Sequence, residues 1–187
     1  GTFYTTILIG IASAVIAALS ALRDRIPVSA QDIRNGFAMV ELPGRFQVLP
    51  GQPTIVLDVA HNPHAAATLG QSLEKMGYHP YTYAIFGAMA DKDIEGVIRP
   101  MVGLVDHWFC TDLPTNRAAS AAELAGFLEA SGVKRDQGLD GGIQTFASPG
   151  DAYQKALLSA GEGDRIVVFG SFYTVAGVMA YRNNQAH

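Results

Sequence analysis

The chain has 187 residues, of which 49% are apolar and 16% are charged. A chain of this length and composition can bury a full hydrophobic core, which excludes an intrinsically disordered segment. Its formal net charge is −4 and its 13 basic residues are scattered, which argues against a nucleic-acid-binding surface. One α/β domain with an appendage fits these values.

The first predicted element is an apolar helix over residues 7–22. Glycine, serine and several alanines dilute this run, whereas a membrane-spanning helix needs about 20 strongly apolar residues. It also lacks the basic flank and cleavage pattern of a secretory signal. We assign residues 1–26 to this helix, as a remnant of a preceding domain or a vector-derived segment, and residues 27–187 to the main domain. A membrane anchor is the alternative.

From residue 27 onward, short apolar strands alternate with helices. A helix over residues 30–35, capped by Ser29 and ended by Gly36, precedes two strands over 46–49 and 54–59. The later predicted strands cover residues 81–86, 107–111, 144–147 and 165–169. Five later helices are also predicted. One follows His61 and stops at Gly77, two follow the caps Ser120 and Ser148, and two cover residues 91–102 and 173–181. This alternation predicts a mostly parallel sheet with helices on both faces.

Ionisable side chains are concentrated in residues 57–66 (LDVAHNPHAA), where a strand ends and a helix begins. Such a junction is where α/β proteins bind ligands, because the strand end and the helix start face the same crevice. The first amides of a helix have no partner within it, and the helix dipole adds positive potential there. The junction therefore suits an anion.

Several other kinds of site are missing from the sequence. It holds no G-x-x-x-x-G-K-[ST] phosphate loop, no G-x-S-x-G elbow and no H-E-x-x-H pair. His61 and His64 lack an evident third metal ligand, so no metal site is expected in this chain. The lone cysteine, Cys110, lies in an apolar run and is predicted to be a buried thiol in a reducing compartment.

Four motifs carry a resemblance to a known family. They are residues 42–47 (LPGRFQ), 57–66 (LDVAHNPHAA), 86–93 (FGAMADKD) and 169–176 (FGSFYTVA). In this order they resemble the C-terminal domain of folylpolyglutamate synthase/dihydrofolate synthase, a relative of the Mur ligases, over about residues 32–179. The resemblance implies a Rossmann-like, mostly parallel sheet of the Mur ligase C-terminal type.

The resemblance implies an ATP-dependent carboxylate–amine ligase in the cytoplasm. In that family ATP phosphorylates a carboxylate of dihydropteroate or a reduced folate, and the amine of L-glutamate attacks the acyl phosphate. The phosphate loop and the ligands of Mg²⁺ are expected in a preceding central ATPase domain of the same protein. This chain would close over the nucleotide, and it is expected to be inactive alone. No nucleic-acid or membrane partner is expected.

The resemblance gives Arg45 and Asp58 roles in binding ATP. The planar guanidinium of Arg45 can neutralise charge on phosphates and on the transferring phosphoryl group. Asp58 would accept hydrogen bonds from ribose hydroxyls or orient Arg45. Without the family, Arg45 is a surface residue after a Pro-Gly turn and Asp58 is a helix cap.

His61 is a candidate catalytic residue because it lies three residues after Asp58 in the same turn, and the resemblance makes Ser171 a candidate for binding the carboxylate of glutamate. The His61 imidazole could bond a phosphate or a substrate carboxylate, or serve only its own turn. Ser171 could also be an ordinary cap of the last helix, as Asn62 could be for the helix after it. His64 is a weaker candidate and fits a surface position.

Two further candidates are weaker. Lys92 could attract an anionic substrate, or be solvated beside Asp91, which would cap the next helix. Arg117 follows a strand and could meet a glutamate tail. The chain departs from the family where relatives carry an ATP-contacting asparagine, because Ala14 or Ser13 stands there, so no ATP role is carried into that segment.

Two rival functions stay open at this point. One is a Mur-type peptidoglycan amide ligase, which would share this domain and use another acceptor. The other is a stand-alone α/β module that binds a ligand without ligase chemistry.

Overall fold

The computed structural model describes residues 2–22, 25–38, 44–134 and 142–185. By its internal contacts the chain divides into two compact units, residues 1–42 and 43–187. The boundary predicted at residues 26 and 27 falls inside the first unit. Residues 42 and 43 of the first motif lie outside the described residues.

The first unit holds two helices, α1 (Thr2–Ala21) and α2 (Ala30–Ala38). Ser29 caps α2 as predicted, since its hydroxyl oxygen accepts the N–H of Asp32 at 3.1 Å. The predicted stop at Gly36 is wrong, because α2 continues to Ala38. A glycine inside a helix costs only about 1 kcal/mol. Within the described ranges, no helix has the length and apolar character needed to cross a bilayer.

The second unit contains one six-stranded sheet in the order β1-β2-β6-β3-β4-β5. Its strands are β1 (Gln47–Leu49), β2 (Thr54–Leu57), β3 (Thr82–Phe86), β4 (His107–Thr111), β5 (Gly142–Phe146) and β6 (Arg165–Phe169). The β1 strand runs antiparallel to β2, and all other pairs are parallel. The predicted strands of this sheet are therefore confirmed, with shifts of a few residues at their ends.

Helices cover both faces of the sheet, as predicted. They are α3 (Pro63–Glu74), α4 (Ile94–Ile98), α5 (Ala121–Ala130), α6 (Pro149–Ser159) and α7 (Phe172–Gln185). One core cluster joins α3, α4 and α5 to the face that carries Val167 and Phe169 of β6. A second cluster joins α6 and α7 to the face that carries Ile166 and Val168. Both faces of β6 are thus fully buried, which explains its continuous apolar sequence.

Most predicted helix starts are confirmed by their caps. Asn62 accepts from the N–H of Ala65, Ser120 forms the predicted capping box with Glu123, and Ser148 caps α6 with proline in its first turn. The α4 helix differs from its prediction over residues 91–102. It begins after Asp93, which caps it, and it ends at Ile98. Asp91 is therefore not the cap, because a second aspartate two residues later takes that position.

The last strand in the sequence lies in the middle of the sheet. β6 pairs with β2 on one side and with β3 on the other. The connection after β2 leads to a helix on one face, whereas the connection after β6 leads to α7 on the opposite face. Ligand crevices in α/β sheets form where neighbouring connections diverge in this way.

Candidate functional site

The turns that follow β2, β6 and β3 are joined by backbone hydrogen bonds at the carboxyl edge of the sheet. Gly170 donates its N–H to the carbonyl oxygen of Ala60 at 2.9 Å, and Gly87 donates to Phe169 at 3.4 Å. These bonds extend the sheet ladder past the strand ends, so three of the four motifs meet at one edge.

Glycine is required at two positions of this junction. Gly170 has a φ of +105°, and a Cβ there would collide with the carbonyl oxygen of Gly87 and the ring of Phe86. A Cβ at Gly87 would lie 2.8 Å from Oγ1 of Thr174 and 2.9 Å from the side chain of Leu113. The close approach of the two turns therefore depends on both glycines.

Asp58 fixes the turn that carries Arg45. Its side chain is fully buried, with Oδ2 accepting the N–H of Phe46 at 2.9 Å and Oδ1 accepting the N–H of Ala60 at 2.7 Å. Val59 also donates its N–H to the carbonyl oxygen of Gly44 at 2.7 Å. These bonds attach residues 44–46 to the end of β2, so the first two motifs form one structure.

The turn held by Asp58 contains a strained residue. Phe46 has a φ of +45°, a conformation that costs a bulky L-residue roughly 1–2 kcal/mol. The preceding residue, Arg45, is exposed at the surface. The geometry supports the prediction that Asp58 orients Arg45, and its contact with a nucleotide stays a prediction.

The hydrogen bond made by His61 fixes its tautomer. Nδ1 lies 2.8 Å from the carbonyl oxygen of Val59, and a carbonyl can only accept, so Nδ1 carries the proton. In the neutral ring Nε2 is then a hydrogen-bond acceptor. The centroid of the half-buried His61 ring lies 6.2 Å from the ring centroid of Phe172 at the start of α7, so the turns after β2 and β6 lie side by side at the carboxyl edge. His64 is exposed in the first turn of α3.

Ser171 caps α7 and is only 4% exposed. Its Oγ accepts the N–H of Thr174 at 3.1 Å and lies 2.8 Å from Thr174 Oγ1. Thr174 Oγ1 in turn donates to the carbonyl oxygen of Gly87 at 2.8 Å. The cap is thus present, and binding of a carboxylate by Ser171 stays a prediction. Thr174, whose hydroxyl connects Ser171 to Gly87, was not among the predicted residues, although its position three residues after Ser171 is typical of a capping motif.

Asp91 brings the two weaker candidates together. Lys92 Nζ lies 3.1 Å from Asp91 Oδ2, and Arg117 Nη2 lies 3.5 Å from Asp91 Oδ1. The two loops are also joined by a hydrogen bond from the N–H of Ala90 to the carbonyl oxygen of Arg117 at 2.8 Å. The hydrogen bond from Lys92 holds the pKa of the Asp91 carboxyl below its ordinary value, with a smaller effect from the charge of Arg117.

The described ranges contain no group of three or more histidine, cysteine, aspartate or glutamate side chains that could hold a metal ion. Cys110 is buried on β4, in agreement with its prediction as a core thiol. Among the described residues, the carboxyl edge therefore offers the guanidinium groups of Arg45 and Arg117, the amine of Lys92, the His61 imidazole, and backbone and hydroxyl groups.

Residues 44–172, which contain the second and third motifs and parts of the first and fourth, match the family described as Mur ligase, glutamate ligase domain. The chain belongs to this family. The matched range begins at the turn before Arg45 and ends just after Ser171, so it contains every site residue predicted above.

Curated relatives of this Mur ligase domain agree with the motifs. It is 36% identical over 171 residues to the dihydrofolate synthase/folylpolyglutamate synthase of Buchnera aphidicola, covering 91% of this chain and 39% of the relative. It is 37% identical over 163 residues to the protein of that name from Escherichia coli, covering 87% of this chain and 36% of the relative. The resemblance found from the motifs is confirmed. The chain spans about two fifths of the length of these relatives.

Solved structures show the same fold. Escherichia coli FolC in complex with DHPP and ADP superposes with a TM-score of 0.79 at 34% identity, covering 94% of this chain and 39% of that protein. A bifunctional folylpolyglutamate synthase/dihydrofolate synthase with Mn, AMPPNP and L-glutamate bound gives a TM-score of 0.72 at 37% identity, covering 89% and 38%. The predicted α/β architecture of the Mur ligase C-terminal type is confirmed.

Proposed function

We propose that this Mur ligase domain is the C-terminal part of an ATP-dependent ligase that adds L-glutamate to dihydropteroate, to a reduced folate or to both. The reaction would form an acyl phosphate on the acceptor, and the glutamate amine would displace phosphate from it. The domain would contribute part of the ATP site and part of the glutamate site, and a preceding central domain would contribute the remainder.

The observation that carries the proposal is the attachment of the Arg45 turn to the end of β2 by Asp58. The buried carboxylate accepts the N–H groups of Phe46 and Ala60 and so attaches the turn of the exposed Arg45 to the end of β2, at the switch point where α/β sheets bind ligands. A guanidinium fixed there can stabilise negative charge on phosphates and on the phosphoryl group in transfer. Similar proteins with ADP or AMPPNP bound support the choice of ATP.

The glutamate part of the proposal rests on the crevice between the turns after β2 and β6. His61 presents Nε2 as an acceptor, which can take a proton from the ammonium group before the nitrogen attacks. Ser171 and the first amides of α7 supply hydrogen-bond donors suited to a carboxylate. Lys92 and Arg117 would add positive potential for anionic substrates at the same edge. A similar protein binds L-glutamate.

The proposal includes a divalent cation, for which Mg²⁺ is the natural choice with ATP. A similar protein binds Mn with AMPPNP. The described residues of this chain offer no cluster of metal ligands, so the ion would be held by the central domain and the phosphates. When bound, it would neutralise phosphate charge. A cytoplasmic location completes the proposal.

The test is a ligase assay of the full-length protein that carries this chain. With ATP, Mg²⁺ and L-glutamate, phosphate release is expected to depend on dihydropteroate or tetrahydrofolate, and mass spectrometry should show the product gaining one glutamate. Phosphate release with a UDP-muramoyl acceptor instead would contradict the folate assignment and favour the peptidoglycan ligase. If neither acceptor stimulates phosphate release, the result would favour a ligand-binding module.

The isolated chain gives a second test of the divided site. We expect calorimetry to show weak or undetectable ATP binding, because Arg45 would meet only part of the triphosphate. Tight binding by this chain alone would contradict a site shared with a second domain.

A further inference from the structure

We propose that Thr174 is a positioning residue for the glutamate site and that it acts through Ser171. The proposal rests on the proposed ligase function. It starts from a hydrogen-bond chain, Ser171 to Thr174 to Gly87, that crosses from the start of α7 to the end of β3. Thr174 is fully buried and Ser171 nearly so, hence water does not compete strongly for these bonds.

The direction of the chain follows from its last acceptor. The Gly87 carbonyl can only accept, so the Thr174 hydroxyl donates its single proton there at 2.8 Å. The 2.8 Å contact between Ser171 Oγ and Thr174 Oγ1 must then use the proton of Ser171. Ser171 Oγ also accepts a hydrogen bond from the backbone N–H of Thr174 at 3.1 Å.

Thr174 therefore controls Ser171 in two ways. Its backbone N–H and its hydroxyl hold Ser171 Oγ at a fixed place, and its oxygen accepts the Ser171 proton while no substrate is bound. A substrate carboxylate is a stronger acceptor than a hydroxyl, so it can take over that proton without movement of the oxygen. The Ser171 oxygen is thus already in place before glutamate arrives, and only its proton has to turn to the carboxylate, which lowers the entropy lost on binding.

Gly87 couples this arrangement to the neighbouring motif. A Cβ at Gly87 would lie 2.8 Å from Thr174 Oγ1, so glycine leaves the space that this hydroxyl occupies. The carbonyl of Gly87 is five residues before Lys92 in the same motif, and β3 and β6 are paired up to Phe86 and Phe169. The position of Ser171 is therefore set relative to two strands and not to α7 alone.

The experiment compares Thr174→Val with Thr174→Ser in the full-length protein. Valine keeps the shape and removes the hydroxyl, so the KM for L-glutamate should rise about tenfold while the KM for ATP changes little. Serine keeps the hydroxyl and should restore the wild-type KM. Thr111→Val is the matched control, because Thr111 is also fully buried and donates to a backbone carbonyl, that of Asp112, at 2.9 Å.

A double-mutant cycle tests whether Thr174 acts through Ser171. In the background of Ser171→Ala, Thr174→Val should raise the glutamate KM no further. The proposal would be overturned if the two substitutions multiply their effects on the glutamate KM, or if Thr111→Val raises that KM as much as Thr174→Val does. If Thr174→Val does not fold, slow exchange of the Ser171 and Thr174 hydroxyl protons in NMR spectra of the wild-type protein supports the hydrogen-bond chain, and rapid exchange of both overturns it. Absence of glutamate-dependent phosphate release in the wild type would instead reject the ligase function.

Discussion

The amino and carboxyl edges of the sheet each contain an arginine and an aspartate, but the arginine is buried at the amino edge and exposed at the carboxyl edge. At the amino edge, Arg165 at the start of β6 is 5% exposed and donates to the Leu73 carbonyl at 2.7 Å and to Thr82 Oγ1 at 2.9 Å. At the carboxyl edge, Arg45 is exposed in the turn that Asp58 attaches to the end of β2. The buried arginine connects elements of the fold, whereas the exposed one is available to a ligand.

One aspartate at each edge can be compared in the same way, and the two form similar hydrogen bonds. Asp164 at the amino edge accepts the N–H groups of Tyr81 and Gly161 with its two oxygens, at 3.1 and 2.7 Å. Asp58 at the carboxyl edge also uses both oxygens for backbone N–H groups. Only Asp58 holds a turn that presents a cation. The difference between the edges lies in what each turn carries, so substitutions at matched positions can separate folding from function.

The largest effect is expected for Arg45→Ala. In the proposed function the Arg45 guanidinium stabilises charge in the transition state, so its removal should lower kcat/KM of the full-length protein about 10²- to 10³-fold. The free energy of unfolding should change by less than about 0.5 kcal/mol, because the side chain is exposed. Enzyme kinetics and urea denaturation measure the two quantities. Activity that survives within a factor of two would remove Arg45 from the ATP site.

Arg165→Met should give the opposite result. It leaves the Leu73 carbonyl and Thr82 hydroxyl without their donor in a buried site, so the free energy of unfolding should fall by about 3 kcal/mol. The activity of the molecules that remain folded should be nearly unchanged. Arg99→Met is the control, since Arg99 is exposed and its ion pair among the described residues is with Glu95, and its loss should be barely measurable.

Asp58→Asn and Asp164→Asn form a matched pair. In each variant one amide nitrogen replaces an accepting oxygen, which leaves a backbone N–H unpaired and costs about 2 kcal/mol. Only Asp58→Asn should also lower kcat/KM at temperatures where both variants are folded, because it loosens the Arg45 turn. Equal activities of the two variants would mean that Asp58 serves the fold alone.

The amino edge should weaken in alkaline solution through Tyr83. Burial, with the nearby charge of Asp164, raises the pKa of the Tyr83 phenol above its ordinary value of 10.0. Its stabilising contribution is therefore complete below pH 10.0 and is lost as pH rises through the folded-state pKa. Tyr83→Phe loses the hydrogen bond to the Ser159 carbonyl, at about 1 kcal/mol, and should show a smaller loss of stability above that pH. An equal loss of unfolding free energy at alkaline pH in the wild type and in Tyr83→Phe would contradict the raised pKa of Tyr83.

The smallest effect concerns Asp91 at the carboxyl edge, which should respond to acid. Its pKa lies below the ordinary value of 3.8, so its ion pairs persist above that pH and are lost as pH falls through the lowered pKa. An NMR titration should show the midpoint returning toward 3.8 in Lys92→Met, with a smaller change in Arg117→Met. The reverse order would mean that Arg117 is the stronger partner.

The sequence predicted the parts of this molecule that local chemistry determines. Strands β4 and β6 and the caps at Asn62, Ser120 and Ser148 are where their residues indicated, because buried apolar runs and capping side chains act over a few residues. The end of α2 and the start of α4 were missed. There, a permissive glycine and two competing aspartates left the choice to longer-range packing.

The site was predicted as separate residues, and its connections were not. The motifs identified Asp58 and Arg45, but the bond from Phe46 N–H to Asp58 spans 12 positions and depends on the folded turn. The bond between Thr174 and Gly87 spans 87 positions. Such contacts depend on the order of the strands in the sheet, which the pattern of apolar runs along the sequence does not predict.

The position of β6 has a consequence for how the protein is made. The β6 strand is synthesised after the other five strands of the sheet, so until residue 169 has been added β2 and β3 have no strand between them. Nascent chains that stop earlier would expose the apolar sides of both strands to chaperones and proteases. Synthesis of β6 therefore completes the hydrophobic centre of the sheet and also supplies the turn that joins those after β2 and β3.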